Sequence, residues 1–254
     1  MTINQLPRER RHTYQFLGQA REFAPVFLDT EVDMSAVTAH REEARARGER
    51  YSTVSYVLYA AARVLVGHPE ANGAITGWSR PRVARYGTAS GKLALDKTVN
   101  GHRVVLTAVL PDLDSAGLAD IQAQVDHYRD GDAANMPEFA GPRMLQKLPV
   151  PLGRLLYRAG MRSLRRRPEL VGTFAVSSLG HRPVDAFHSV GGTTITLGMG
   201  QVADRPVARR GEVVVVPAMR LSLAFDHRVI DGAEAADVLG EIKEALENFK
   251  GEPA

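Results

Sequence analysis

Three observations predict a domain of mixed α and β elements. A near-continuous apolar run from Val213 to Phe225 has the Val, Leu and Phe content of an extended chain covered on both faces. It stops at Asp226-His227-Arg228, and beyond Asp231-Gly232 the apolar period becomes helical, with Ala236, Leu239, Ile242, Ala245, Leu246 and Phe249 on one face. Upstream, residues 53–67 form a second, strongly apolar helical stretch, and two alternating segments within 82–110 are joined by Asn100-Gly101, a strong hairpin signal.

In chain order, residues 1–24 are polar and basic, with Arg8, Arg10 and Arg11. Pro25 to Val32 reads as a strand. Asp33 or Ser35 is placed to cap a helix that runs to about Arg47 and stops at Gly48. The helix over 53–67 ends at His68-Pro69-Glu70, because the residue before proline resists helical geometry. Ser115 to Arg129 reads as an amphipathic helix. Residues 130–168, with prolines at 137, 142, 149, 151 and 168, read as irregular apart from a helix from about Leu152 to Leu164. Residues 171–180 read as a buried strand ending in Ser-Leu-Gly, followed by a loop over 184–190 and a strand over Thr193–Val202. Asp231 and Glu234 read as a capping box for the last helix.

The 254 residues are enough to bury a large core, and nothing in them reads as an internal repeat or a linker between domains. The absence of cysteine excludes disulfides, thiolate catalysis and cysteine-based zinc sites. Neither a secretory leader nor an apolar run of membrane-spanning length is visible, so the expected location is cytoplasmic. The formal charge is +3, with 27 Arg against 5 Lys, and no aromatic-plus-basic module suggests nucleic-acid binding.

His227 is the histidine that terminates the long apolar strand between acidic neighbours. A rigidly held imidazole whose ordinary pKa is about 6.5 suits general-base chemistry; the plainer alternative is a core histidine satisfied by hydrogen bonds. His181 and His188 have neither spacing nor support for ligating a metal and are read as loop residues. The helix around 152–164 carries Arg154, Arg158 and Arg162 and runs into Arg165, Arg166 and Arg167. Three readings stay open for it: a solvated face, contact with cofactor phosphates, and docking on an acidic partner or membrane surface.

The motif His-x-x-x-Asp-Gly, preceded by Phe-Asp and followed by an Ala-rich helix, resembles the catalytic core of the dihydrolipoamide acyltransferases of 2-oxoacid dehydrogenase complexes and, more loosely, chloramphenicol acetyltransferase. The resemblance extends to Glu31-Val32-Asp33, Arg41, His68-Pro69-Glu70 with Asn72, and the Gly172-Thr173-Phe174 strand leading to Ser177-Ser178-Leu179-Gly180. It implies an α+β chloramphenicol acetyltransferase-like two-layer sandwich, a mixed sheet with helices packed on one face, forming one acyltransferase catalytic domain over 1–254. It also implies His227 as general base and Ser177, rather than the adjacent Ser178, as the oxyanion donor. Asp231 would fix local geometry and pair with an N-terminal arginine, Arg10 or Arg11; Gly232 and Arg228 would be structural at the site. Family members are trimers with active sites between subunits and use a ternary complex without a metal. By the same resemblance the co-substrate is coenzyme A or acetyl-CoA, with Arg165–Arg167 as candidate phosphate contacts.

One departure is visible. The Gly-Leu-x-x-Pro-Val motif that lines the lipoyl channel in the family is replaced by Val104-Val105-Leu106-Thr107-Ala108-Val109. No lipoyl domain or peripheral-subunit-binding segment is recognised either. The first expectation is therefore a stand-alone homotrimeric enzyme, associated with neither nucleic acid nor membrane. It would acetylate a hydroxyl of a small molecule, similar to the acetyltransferases of tetronate antibiotic pathways. The alternatives are a dihydrolipoamide acyltransferase core served by a lipoyl domain in trans, and a non-catalytic trimeric scaffold.

Overall fold

The computed structural model describes residues 5–77 and 79–251. Its strands are β1 (Pro25–Asp33), β2 (Gly73–Thr76), β3 (Arg82–Arg85), β4 (Gly91–Val99), β5 (His102–Leu110), β6 (Phe174–Ser178), β7 (Ile195–Arg209) and β8 (Glu212–Asp226). Its helices are α1 (Arg11–Ala20), α2 (Ser35–Ala46), α3 (Thr53–Gly67), α4 (Leu118–Asp130), α5 (Ala140–Lys147), α6 (Val150–Arg162), α7 (Arg167–Val171) and α8 (Gly232–Glu247). Six strands make one mixed sheet in the order β1-β8-β7-β6-β4-β5, while β2 and β3 pair separately. The β4–β6 and β6–β7 pairings are parallel and the others antiparallel.

Strand alternation divides the sheet into two faces. Leu93, Leu95, Phe174, Val176, Ile195, Leu197, Leu221, Leu223 and Phe225 point into one core with Tyr56, Leu58 and Leu65 of α3 and Val238, Ile242 and Leu246 of α8. Helices α2 and α4 complete this layer through Val37 and Ile121, giving the α+β sandwich expected from the sequence. Lys92, Ala175, Ser177, Gly198, Ser222 and Asp226 fall on the opposite face. That face is covered by α1, whose Phe16 ring lies 5.4 Å from Lys92 Nζ, and by the segment after β6. The cover is close: a Cβ built on Gly198 would stand 1.8 Å from the Phe187 carbonyl oxygen.

The local sequence rules account for the boundaries that held. Ser52 caps α3 by accepting from the Ser55 N–H at 3.3 Å. Asn100 (φ 50°) and Gly101 (φ 76°) supply the two positive φ angles of the tight β4–β5 turn.

Three expectations change. Residues 130–168 are largely helical, as α4 ends and α5, α6 and α7 follow. Pro149 is the N-cap of α6 and Pro151 lies in its first turn; Pro168 likewise opens α7, where a missing N–H costs no hydrogen bond. The apolar run 213–225 is covered on both faces only at its C-terminal end. Val213 and Val215 are 75% and 68% exposed on a two-stranded extension of β7–β8 beyond the point where β1 stops pairing at Ala218. The predicted caps also differ. Met34 occupies the N-cap of α2, with Asp33 accepting from the Ser35 N–H at 2.8 Å. Asp231 is the N-cap of α8 but its side chain makes no cap hydrogen bond, and Glu234 reaches His68 instead, at 2.8 Å. No helix among the described residues is long and apolar enough to cross a membrane.

Candidate active site

The β8 strand delivers His227 to a fixed position. Asp226 is the last paired residue, opposite Pro25 of β1. The next amide, His227 N–H, donates to the Ala24 carbonyl at 2.9 Å, and the chain then turns with Val229 N–H bonded to the Asp226 carbonyl at 2.9 Å. The imidazole packs edge-on against Phe225, centroids 5.4 Å apart, yet the side chain is 46% exposed. It is therefore accessible and is not a buried core histidine.

The ring orientation follows from one backbone group. His227 Nδ1 lies 3.1 Å from the Ile230 carbonyl oxygen and 3.3 Å from Asp231 Oδ1. A carbonyl oxygen only accepts, so Nδ1 carries the proton, and in the neutral ring Nε2 holds the free lone pair. This arrangement leaves Nε2 able to take a proton, while Asp231 stands beside the nitrogen that remains protonated.

The neighbours of His227 are braced. Asp226 is 2% exposed and holds Arg228 through a fork, Nε to Oδ1 at 2.9 Å and Nη2 to Oδ2 at 2.6 Å. The Arg228 guanidinium also lies 5.1 Å from the Phe23 ring centre. Gly232 opens α8.

Ser177 lies on β6, opposite Gly198 of β7, which in turn lies opposite Ser222 of β8. Its neighbours Val176 and Phe174 belong to the core, so its hydroxyl points to the other face, where no hydrogen bond to it is made among the described residues. Ser178 is different: its Oγ accepts from the Gly180 N–H at 3.3 Å and closes the Ser-Leu-Gly turn. The geometry therefore separates the two serines.

Within one chain Ser177 and His227 are not brought together. From the Ser222 row, His227 is five residues along β8, and Ser177 is two strands across. At about 3.3 Å per residue and about 4.8 Å per strand, the two lie roughly 15–20 Å apart, far beyond hydrogen-bond reach.

Of the remaining expected residues, Arg11 donates to the Leu148 carbonyl at 3.3 Å, and Asp231 is 89% exposed with His227 as its partner, so no pairing of Asp231 with Arg10 or Arg11 occurs within the chain. Arg165 and Arg166 are exposed, whereas Arg167 is buried and donates to the carbonyls of Ile75 (2.9 Å) and Gly192 (3.2 Å). His188 packs against Phe27 at 5.6 Å. No cluster of three or more His, Asp or Glu side chains that could hold a metal occurs among the described residues.

One ionisable group went unnoticed in the sequence. Lys92 is 5% exposed on the covered face, its Nζ donating to the Gly191 carbonyl. Burial, followed by the nearby Arg167 charge, lowers its pKa to about 7. Strand alternation alone marks Lys92 as outward-facing, and only the segment folded over that face buries it.

The chain is similar in sequence and in fold to known acyltransferase domains. Residues 151–251 match the sequence profile of the 2-oxoacid dehydrogenases acyltransferase (catalytic domain). The chain is 27% identical over 260 residues to the dihydrolipoyllysine-residue succinyltransferase component of the 2-oxoglutarate dehydrogenase complex of Escherichia coli K12, covering 96% of this chain and 54% of the relative. It is 25% identical over 266 residues to the acetyltransferase component of the Staphylococcus aureus pyruvate dehydrogenase complex, covering 97% and 52%. The chain thus spans about half the length of the curated relatives it matches. Its fold matches that of Azotobacter vinelandii dihydrolipoamide acetyltransferase with a TM-score of 0.73, at 20% identity, over 98% of this chain and 93% of the other. A probable dihydrolipoamide acetyltransferase from Listeria monocytogenes matches with 0.71, at 17% identity, over 100% and 97%. The sequence resemblance is thereby borne out: the chain has the fold of these acyltransferase cores, and its C-terminal part carries the profile of their catalytic domain.

Proposed function

We propose that this chain is an acyltransferase of the dihydrolipoyl type, moving an acyl group between coenzyme A and a thiol of a lipoyl group. The carrying observation is His227, an accessible imidazole whose Nδ1 is held by the Ile230 carbonyl so that Nε2 faces outward as a base. The similarity to dihydrolipoyllysine acyltransferase components supports the thiol as acceptor over the small-molecule hydroxyl expected first.

In the forward direction Nε2 removes the proton of the attacking thiol, and the thiolate adds to the thioester carbonyl carbon. The oxyanion that forms needs a donor, and Ser177 offers an unpartnered hydroxyl. Because Ser177 and His227 of one chain are far apart, the donor is Ser177 of a neighbouring subunit, in a homotrimer with sites between subunits. Collapse expels the coenzyme A thiolate, which recovers the proton from the imidazolium. Asp231, 3.3 Å from Nδ1, stabilises the charged ring between the two transfers. Both substrates are bound at once, so no acyl-enzyme is formed.

One observation favours a second reading, acetyl transfer from acetyl-CoA to a hydroxyl: the residues Val104–Val109 in β5 stand where the lipoyl channel motif is expected. The test is to incubate the protein with acetyl-CoA and either dihydrolipoamide or small alcohols, and to identify products by mass. Acetyl-dihydrolipoamide is the expected product; an acetyl ester without it would transfer the case to the second reading. His227→Ala is expected to lower turnover by orders of magnitude with folding intact, and near-normal turnover would remove His227 as the base.

A further inference from the structure

Residues 139–168 stand apart in charge. They contain eight of the chain's 32 Lys and Arg residues and no Asp or Glu, whereas the other 24 basic residues face all 29 acidic ones. The segment therefore carries +8 in a chain of +3 overall. Arg158, paired with Glu22 at 3.1 Å, is the only one of the eight in an ion pair among the described residues. Charge concentrated in this way marks a surface for an anionic partner.

Helix α6 adds an apolar stripe to that charge. One flank is anchored on α1: Gly153 and Met161 are buried, and a Cβ built on Gly153 would stand 1.9 Å from Gln15 Nε2. A second flank carries Arg154, Arg158 and Arg162, spaced one turn apart. The third carries Leu152, Leu155 and Leu156, at i, i+3 and i+4, which are 44%, 65% and 42% exposed. A single exposed leucine is ordinary, but three in one stripe, on a helix already packed against α1, are not explained by the core. Tyr14 of α1 is also exposed and extends the surface, its ring centre 5.2 Å from the Arg154 guanidinium.

We propose that this face of α6, with the arginines that follow it, docks on an anionic lipid surface. Leu152, Leu155 and Leu156 enter the boundary between headgroups and acyl chains, with the helix lying in the plane of the surface. At 13 residues α6 is too short to cross a bilayer. The arginine stems lie along the apolar boundary and their guanidiniums reach the lipid phosphates, as do Arg165 and Arg166 beyond the helix. Lipid fits better than a protein partner. Protein interfaces fix their register by pairing charges of both signs, whereas a segment of one sign interleaved with leucines needs only a uniformly negative surface. The proposal departs from the expectation of no membrane contact; it goes beyond the acyl-transfer reading and does not depend on it.

The experiment is co-sedimentation of the full chain with vesicles of phosphatidylcholine alone, or with about 30% phosphatidylglycerol, at about 0.1 M salt, beside light-scattering mass without lipid. The variants are Leu155→Gln, Leu155→Gln/Leu156→Gln and Arg165→Gln/Arg166→Gln, each checked for an unchanged melting temperature. The single leucine variant, at the most exposed position, serves if the double one fails to fold. The expected result is binding to the anionic vesicles alone, weakened by salt. The partition coefficient should fall about tenfold or more for the double leucine change and about fivefold per lost arginine, with the solution mass unchanged. A wild type that ignores the anionic vesicles, or leucine variants that bind them as the wild type does, would overturn the proposal. So would a smaller solution mass of the leucine variants, which would assign the stripe to a second copy of the chain. Equal affinity for soluble polyglutamate, unaffected by the leucine changes, would overturn it in favour of an acidic polypeptide. Each of these results leaves the acyl-transfer reading standing.

Discussion

Replacing Lys92 with Met is expected to raise stability most at neutral and acid pH, with the advantage disappearing toward pH 10. Lys92 is 5% exposed, and its pKa falls from 10.5 to about 7 on folding, first through burial and then through Arg167. Between pH 7 and 10.5 the unfolded chain therefore binds more protons at this site than the native chain does. The Lys92 contribution to unfolding free energy rises with pH across that window. Below pH 7 the native state carries the whole cost of a buried ammonium; above 10.5 the amine is neutral in both states and the cost is gone. The shift corresponds to an upper bound of about 5 kcal/mol. Met fills similar volume without the charge, but it loses the bond from Nζ to the Gly191 carbonyl, so at high pH the wild type should be equal or slightly more stable. Urea denaturation of both proteins at one fixed concentration, from pH 6 to 10, measures the difference while changes at other groups cancel. A variant less stable than wild type at pH 6, or a difference that does not change with pH, would refute the reasoning.

Two further effects follow from the geometry. Ser177→Ala should lower kcat by roughly 10–1000-fold with little change in KM, as for a lost oxyanion donor; a change confined to KM in steady-state kinetics would exclude that role. His68 is held at the α3 end by Glu234 (2.8 Å) and Glu241 (3.1 Å) of α8. Burial pushes its pKa down, but the two carboxylates outweigh burial and raise it overall. Its stabilisation is complete below the unfolded value of about 6.5 and is lost as pH rises through the raised folded value. His68→Ala should therefore cost more at pH 6 than at pH 9, by up to about 1 kcal/mol since Glu241 is half exposed; an equal cost at both, from denaturation midpoints, would contradict it.

Much of the architecture was legible because it rests on local rules. The apolar periodicity of 53–67, the Asn100-Gly101 turn and the change of period after Gly232 each specify geometry within a few residues, and each appears as expected. What failed depended on context. Prolines at 149, 151 and 168 look like breakers until their place at helix starts is known. Val213 and Val215 look buried because an apolar run does not reveal that its first half extends past the neighbouring strand. The site was only half legible. His227 stands out by its position in the motif, but the atom that fixes its tautomer is the Ile230 carbonyl, which any residue would supply. Ser177 and Ser178 become distinguishable only when alternation assigns them to opposite faces and Ser178 is seen closing a turn. Lys92 was hidden because the segment that buries it lies about a hundred residues further on.

The most direct test of an acyl-transfer site shared between neighbouring chains is subunit mixing. Preparations of His227→Ala and Ser177→Ala, each at a tenth of wild-type activity or less, are unfolded together in equal amounts and reassembled. If each site takes its histidine from one chain and its serine from the next, random trimers restore an intact pair at about one site in four, and activity returns to about a quarter of wild type. If both residues act within one chain, every site keeps a lesion and the mixture does no better than the average of the two variants, which would contradict the account.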